Sequence, residues 1–370
     1  MKRLVLVGGG HAHLSVLKAL AKQRPVGIET ILITPKPFQT YSGMLPSWMA
    51  GHYTLANIQI DLRPLAKAAG VHLVIDSMLG MDAERCCVGL TDSSHVEYDL
   101  LSLDTGSETD VSWLELAGSK LLAIKPLDDF IVAWPRILAE IMRKPDYVLA
   151  IVGGGAAGVE LAFAANFAIR QLNSSAKVLL VYPEEGLLAA HAISVRQRVE
   201  HRLLASGITL IPHRAVGTEK GLLLSNGTTI VVDTIIAASG ARPAAWMSLS
   251  KLALSTDGYI AVDAFHRSTS HHNVFVAGDA CARQDIPVAR SGVHAVHAGP
   301  VLADNLLAAL CGGVFGSYQP RHHSLYLLSC GERYAVASWG RWSCEGRWVW
   351  RWKNYIDKSF IKRFSESSLM

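Results

Sequence analysis

Two glycine-rich turns hold the residues of this sequence best suited to chemistry. The first reads Leu6-Val7-Gly8-Gly9-Gly10-His11-Ala12-His13, the second Ile151-Val152-Gly153-Gly154-Gly155-Ala156-Ala157-Gly158-Val159-Glu160. Each follows an apolar, β-branched run and opens a run compatible with a helix. In such a turn the first glycine permits the sharp bend, the second lets the backbone approach a diphosphate, and the third lets helix and strand pack closely. The helix N-terminus then presents N–H groups and the positive end of its dipole to the phosphates. Gly153, Gly155 and Gly158 meet all three requirements, with Ala156 opening the helix. Gly8 and Gly10 meet two, followed by His11 and Ala12, with His13 in the third place. Two such turns in matching surroundings imply two bound dinucleotides and electron transfer between them.

Three further features bear on that chemistry. An acidic residue at the end of the second strand ordinarily holds a ribose 2′-hydroxyl. Thr34-Pro35 stands there in the first unit and Tyr182-Pro183-Glu184 in the second, so the choice between NADH and NADPH stays open. Thr34 can bond a ribose, whereas Glu184 lies out of register. Residues 274–279 form a short apolar strand that delivers Asp279 at its carboxyl end, a place that also suits a plain turn residue. Glu160 sits one turn into an apolar helix, where a charge needs a partner or a shifted pKa. Pairing with a basic group for structure would meet that need.

The spacing of apolar residues predicts the elements that position these groups. Residues 3–7 read as a buried strand, 12–22 as a helix and 29–33 as a parallel strand, forming one βαβ unit. Short strands are predicted at 71–77, 86–90, 95–98 and 100–103. Pro126, Asp128 and Asp129 mark a helix start. A second βαβ unit has its strand at 148–152, its helix at 156–172 and its next strand at 178–182. A helix at 194–206, strands at 208–211, 221–225 and 229–232, and a long helix at 290–310 follow. From about Tyr318 the pattern is hairpin-like and ends in a basic aromatic helix.

With 370 residues, half of them hydrophobic, the chain suits two or three domains. The net charge of +4 and the lack of a basic, aromatic-interleaved run before the C-terminus argue against nucleic acid. No cysteine stands in a Cys-x-x-Cys pair, so no metal site is expected. Cys330 and Cys344 either face each other across a hairpin or are free thiols of a reducing cytoplasm. The apolar run at 4–7 is too short for a secretion signal. The hydropathic stretch 147–169 contains the glycine triplet, which argues for strand, turn and helix rather than a membrane span.

With these pieces assembled, the chain resembles the two-dinucleotide-binding flavoproteins of the pyridine nucleotide-disulfide oxidoreductase superfamily over nearly its whole length. Within that group it is more similar to type II NADH dehydrogenases and sulfide:quinone oxidoreductases than to glutathione reductase. It is most similar to the flavoprotein module fused ahead of selenide, water dikinase in some bacteria. Gly8-Gly9-Gly10-His11-Ala12-His13-Leu14, Tyr41-Ser42-Gly43-Met44-Leu45-Pro46, Ala337-Ser338-Trp339-Gly340 and Gly346-Arg347-Trp348-Val349-Trp350-Arg351 carry the resemblance.

The resemblance implies an α/β fold of two Rossmann-like dinucleotide-binding domains, plus a small C-terminal α+β region. The FAD domain would be discontinuous, at 1–123 and 257–316, with an NAD(P) domain inserted at 124–256 and the C-terminal region at 317–370. The resemblance further implies FAD at Gly8, Gly10, His11, Ala12, Thr34, Pro35, Ser42, Gly43, Thr105, Gly106, Gly278 and Asp279. Gly292 and Val293 would open a helix toward the flavin pyrimidine. NAD(P)H, the electron donor, would lie at Gly153, Gly155, Ala156, Gly158, Tyr182 and Gly240, with Glu160 as the catalytic residue near nicotinamide and flavin.

Disulfide reductases of that superfamily carry a Cys-x-x-x-x-Cys pair just after the first βαβ unit. This sequence has no cysteine before Cys86. The expected reaction is therefore hydride transfer from NAD(P)H to FAD, then electron delivery to a quinone or other small acceptor without a redox disulfide. A second reading is a flavin-binding partner or regulatory module linked to selenium metabolism, with little turnover. In the tail, Trp348, Trp352, Tyr355, Ile356 and Phe360 share one helical face, and Arg347, Arg351, Lys358 and Lys362 lie opposite. That division suits either peripheral contact with the inner face of the cell membrane or docking of the aromatic stripe on the protein's own core. The expected setting is cytoplasmic, and a homodimer is a compatible assembly.

Overall fold

The two βαβ units form the centres of two separate parallel sheets in the computed structural model, which describes residues 2–365. In the first sheet the strands run Val274–Val276, Leu100–Leu103, Lys2–Val7, Ile28–Thr34 and His72–Ile75, every neighbouring pair parallel. In the second they run Leu121–Ala123, Thr234–Ala237, Val148–Val152, Lys177–Val181 and Thr209–Ile211, again all parallel. The fingerprint strand is central in both. Residues 4–7 and 149–152 are buried, as continuous apolar runs covered on both faces must be.

The fingerprint helices span His11–Lys22 and Ala156–Gln171. Gly8 and Gly153 have φ of +91° and +146°. A Cβ on either would overlap the carbonyl oxygen of Asp104 or Ala238, so both bends require glycine.

The first sheet draws its strands from both sides of the second in sequence. The two crossings meet as a ribbon in which Glu108–Thr109 pairs antiparallel with Ala241–Arg242. This corrects two expected divisions. Leu121–Ala123 is an edge strand of the second sheet although it precedes residue 124. Met247 and Leu252 pack with Val5 and Ile33 of the first sheet although they precede residue 257. Pro126 is conspicuous in the sequence because it starts the helix Leu127–Arg143, but the chain has crossed before it.

A second-sheet helix and the segment after the first βαβ unit share one apolar cluster. Met44, Met49 and Ile58 pack with Val159, Leu161 and Phe163, and the Trp134 indole N–H donates to the Met49 carbonyl at 3.2 Å. The C-terminal region is an antiparallel meander of Leu325–Ser329, Ala335–Trp339 and Trp342–Gly346, followed by the helix Arg347–Arg363. Arg198 and Arg202 grip Glu345 at 2.8 and 2.9 Å, tying the meander to the helix Ile193–Ala205.

The C-terminal helix docks through Val349, Trp350, Lys353, Asp357 and Phe360. Trp348, Trp352, Tyr355 and Ile356 stay exposed. Phe360 therefore leaves the face it was expected to share. It stacks on Tyr41 with ring centroids 4.4 Å apart. At 100° per residue, positions 349, 353, 357 and 360 form one inward stripe, and 348, 352, 355 and 356 fall beside it. The hydropathic stretch 147–169 is strand, turn and helix. No described helix is long and apolar enough to cross a membrane.

Candidate functional site

The carboxyl edge of the first sheet gathers residues from four of its strands. Gly8 follows Lys2–Val7, Thr34 ends Ile28–Thr34 with Pro35 next, Thr105 and Gly106 follow Leu100–Leu103, and Gly278 and Asp279 follow Val274–Val276. Ligands of parallel α/β sheets bind along such an edge. Gly292 and Val293 open the helix Gly292–Cys311, and a Cβ on Gly292 would lie 3.5 Å from Ser42 Oγ, next to Gly43. Asp279 Oδ2 accepts from Lys125 Nζ at 2.6 Å and from Ser107 Oγ at 3.5 Å. The Thr34 hydroxyl donates to the Lys36 carbonyl at 3.3 Å.

A carboxylate absent from the sequence reading sits at the first fingerprint. Asp104, 5% exposed, accepts the backbone N–H groups of Ala12 and His13 at 2.8 and 3.0 Å. A Cβ on Gly10 would overlap that carboxylate. The protein's own anion thus faces the positive end of this helix. His13 is a satisfied core residue. Its Nδ1 lies 2.6 Å from the Gly8 carbonyl, which can only accept, so Nδ1 carries the proton and Nε2 accepts from Ser102 Oγ at 2.8 Å. Burial keeps this imidazole below its usual pKa. The third glycine is dispensable here because the histidine ring enters a slot beside the small Ser102. His11, the first residue of the helix, has a buried Nε2 with no partner, and its ring meets those of Tyr41 and Phe360 at 5.7 and 5.9 Å.

The second fingerprint differs at its helix start. A Cβ on Gly158 would overlap the Gly153 carbonyl, so the helix approaches the strand as closely as glycine allows. A Cβ on Gly155 or on Gly240 would meet nothing within 4 Å, and Gly155 and Ala156 begin the helix with no side-chain cap. Tyr182 is buried at the end of Lys177–Val181. Glu184 follows that strand end and is held by side chains of other segments. It accepts from Ser225 Oγ at 2.6 Å and lies 3.3 Å from His213, and the Ser225 bond chiefly pulls its carboxyl down to about 2.

A third group of side chains joins four parts of the chain. Glu160 Oε1 accepts the Ser329 N–H at 2.8 Å. Burial pushes its carboxyl up to about 7, against the pull of the Lys353 ammonium. Lys353 Nζ donates to the Gly43 carbonyl at 2.7 Å and pairs with Asp357 at 3.1 Å. Asp357 is pushed up by burial against the opposing pull of Lys353, and it bonds the Tyr41 hydroxyl. Burial first, then Asp357, holds that phenol in its neutral form. Glu160, Ser42 and Gly43 were legible in the sequence, whereas Lys353 and Asp357 were not. Their signal was an i,i+4 pair of opposite charges inside the helical stripe of Val349 and Phe360.

The six cysteines are free. Cys330 caps the turn after Leu325–Ser329, and Cys344 stands opposite Ala337, so the two do not face each other. Among the described residues no three His, Cys, Asp or Glu side chains are grouped to hold a metal ion.

A model of the pyridine nucleotide-disulphide oxidoreductase family matches residues 2–299. Ferroptosis suppressor protein 1 of Taeniopygia guttata is 25% identical over 273 residues, covering 70% of this chain and 69% of that protein. An NADH dehydrogenase-like protein of Bacillus subtilis (strain 168) is 22% identical over 296 residues, covering 78% and 79%. Among solved structures, the sulfide:quinone oxidoreductase of Aquifex aeolicus superposes with a TM-score of 0.82 at 15% identity, covering 100% of this chain and 92% of that one. NDH2 from Plasmodium falciparum in complex with NADH gives 0.82 at 14% identity, covering 98% of each. These structures share the fold of two Rossmann-like domains. The relatives named here give no support to a selenium-linked partner module.

Proposed function

The chain belongs to the pyridine nucleotide-disulphide oxidoreductase family, and on that premise we propose that it passes electrons from NAD(P)H through FAD to a quinone or another small acceptor, without a redox disulfide. Members of this family are FAD enzymes that use NAD(P)H. Bound FAD supplies two-electron uptake from the nicotinamide and release to the acceptor. The reaction consumes NAD(P)H, one proton and the acceptor, and yields NAD(P)+ and the two-electron-reduced acceptor.

Three observations fit FAD to the first edge: the glycine-only bend at Gly8, the Asp279 carboxylate at a strand end, and the buried unpartnered His11 Nε2. Gly8, Gly10 and His11 would cradle its diphosphate, with Ala12 beside it, its N–H engaged by Asp104, and Thr34, Pro35, Thr105, Gly106, Gly278 and Asp279 would hold its ribose and ribityl parts. Ser42, Gly43, Gly292 and Val293 would flank the flavin. Gly153, Gly155, Ala156 and Gly158 would hold the NAD(P)H diphosphate, with Tyr182 and Gly240 beside it.

The observation that carries the acceptor reading is the cluster of Glu160, Lys353, Asp357 and Tyr41. It brings a carboxyl that titrates near neutral pH to the Tyr41–Gly43 segment. Such a group can give a proton to a reduced acceptor. The same segment has Tyr41, Ser42, Gly43 and Met44 where a thiol relay would need cysteines, so electrons leave the flavin without one. Anaerobic mixing with NADH or NADPH is expected to bleach the flavin, and a soluble quinone analogue to restore its colour. No bleaching with either nucleotide would refute the proposal.

Exposed Trp348, Trp352, Tyr355 and Ile356, with Arg347, Arg351, Lys358 and Lys362 on the same helix, support contact with a lipid surface. Such contact would bring a lipid-soluble acceptor to the protein. Flotation with anionic liposomes is expected for the intact protein and lost when the four exposed apolar side chains become serine. Equal flotation of both removes the membrane contact.

A further inference from the structure

His11 is the first residue of the helix His11–Lys22, and its Nε2 is buried without a partner. Tyr41 and Phe360 flank the ring. Two carboxylates face it from neighbouring strand ends, Asp104 and Asp279. The ammonium on that side, Lys125, is already paired with Asp279 at 2.6 Å. Beyond Tyr41, Lys353 and Asp357 of the C-terminal helix pair with each other. Asp104 occupies the N–H groups of Ala12 and His13, so two donors of the helix N-terminus are already engaged by the protein's own anion.

A dianionic diphosphate arriving at this turn therefore meets a carboxylate in place and requires a further positive charge. Two imidazoles that feel Asp104 have a buried unengaged Nε2, His11 and His266, and of the two His11 opens the fingerprint helix itself, while His266 bonds the Val276 carbonyl through Nδ1 at 3.1 Å. We propose that FAD binding is coupled to the uptake of one proton by His11, whose Nε2–H then donates to a diphosphate oxygen. The inference rests on the FAD reading of this edge. Burial lowers the imidazole's proton affinity in the protein alone, while Asp104 and Asp279 pull the other way and Lys125 adds to the lowering. The added negative charge of the diphosphate tips that balance. Across the window between the two proton affinities, FAD affinity falls about tenfold per pH unit as pH rises.

Calorimetric titration of the apoprotein with FAD, in buffers of different ionisation enthalpy from about pH 6 to about pH 8.5, counts the protons taken up. Close to one proton is expected at the pH of steepest affinity change. Riboflavin, which lacks the diphosphate, is expected to bind with none. His11→Gln is expected to bind FAD without uptake, at the wild-type affinity of the high-pH end. A wild-type affinity independent of pH and buffer, equal uptake with riboflavin, or undiminished uptake in His11→Gln would overturn the coupling. Should His11→Gln not fold, the riboflavin comparison still tests whether the diphosphate draws the proton, and His11→Asn, smaller and also uncharged, tests whether His11 takes it: undiminished uptake in His11→Asn would overturn the coupling. Absence of FAD binding at every pH would instead overturn the FAD reading, and the coupling with it.

Discussion

Replacing Glu160 with glutamine is expected to remove a pH-dependent loss of stability. The carboxyl titrates near 7 in the folded protein against an ordinary 4.5. Between those values the folded state holds a proton that the unfolded chain has released. Its contribution to stability is therefore lost as pH rises from about 4.5 through about 7, and is flat above. A shift of this size corresponds to roughly 3 kcal/mol. Glutamine keeps an oxygen for the Ser329 N–H and cannot ionise. Glu160→Gln should accordingly be up to roughly 3 kcal/mol more stable than wild type above neutral pH, with the difference vanishing under acid. The attraction of Lys353 for an ionised Glu160 is already contained in that shift, and in the variant Lys353 keeps Asp357 at 3.1 Å. Urea denaturation at saturating FAD, repeated across the pH range for both proteins, reads the difference. All other titrating groups are shared, so the difference isolates Glu160. Parallel pH profiles, or a variant less stable than wild type in mild alkali, would refute the reasoning. Either would mean that Glu160 is ionised and held by Lys353.

The remaining expectations concern single contacts. Lys353→Met leaves Asp357 buried without its counter-charge and the Gly43 carbonyl without its donor. It should cost roughly 3–5 kcal/mol in the same denaturation experiment. His13→Ala strips partners from the Gly8 carbonyl and the buried Ser102 hydroxyl, for a loss of about 2–4 kcal/mol seen equally in flavin-free protein. Gly158→Ala forces its methyl onto the Gly153 carbonyl and displaces the second helix start. Flavin content should stay unchanged while anaerobic bleaching by NAD(P)H slows by about a hundredfold, read by stopped-flow absorbance.

Much of the fold follows from local pattern. The strands Lys2–Val7 and Val148–Val152 and the helices after them are legible because their apolar runs and glycine bends lie within a few residues of one another. The crossings between sheets are less so. Leu121–Ala123 is three residues long, and only its partner strand Thr234–Ala237, more than a hundred positions away, says which sheet it joins. The C-terminal helix shows the same limit. Its sequence offers two apolar stripes about 100° apart, and the one with Val349, Trp350 and Phe360 docks because Tyr41 and the meander present matching surface to it.

The site divides along the same line. The glycines, Asp279 and Glu160 declare themselves in the sequence, because a bend, a strand end or a charge in an apolar helix is a local anomaly. Asp104 at the first helix start, the Lys125–Asp279 pair, and the meeting of Lys353 and Asp357 with Tyr41 and Glu160 are decided by tertiary structure. Each joins groups about 90 to over 300 positions apart, and no local spacing encodes such a meeting. The raised proton affinity of the Glu160 and Asp357 carboxyls was set there too. A carboxyl or imidazole takes its charge from burial and from the charges facing it, and both exist only once the chain has folded.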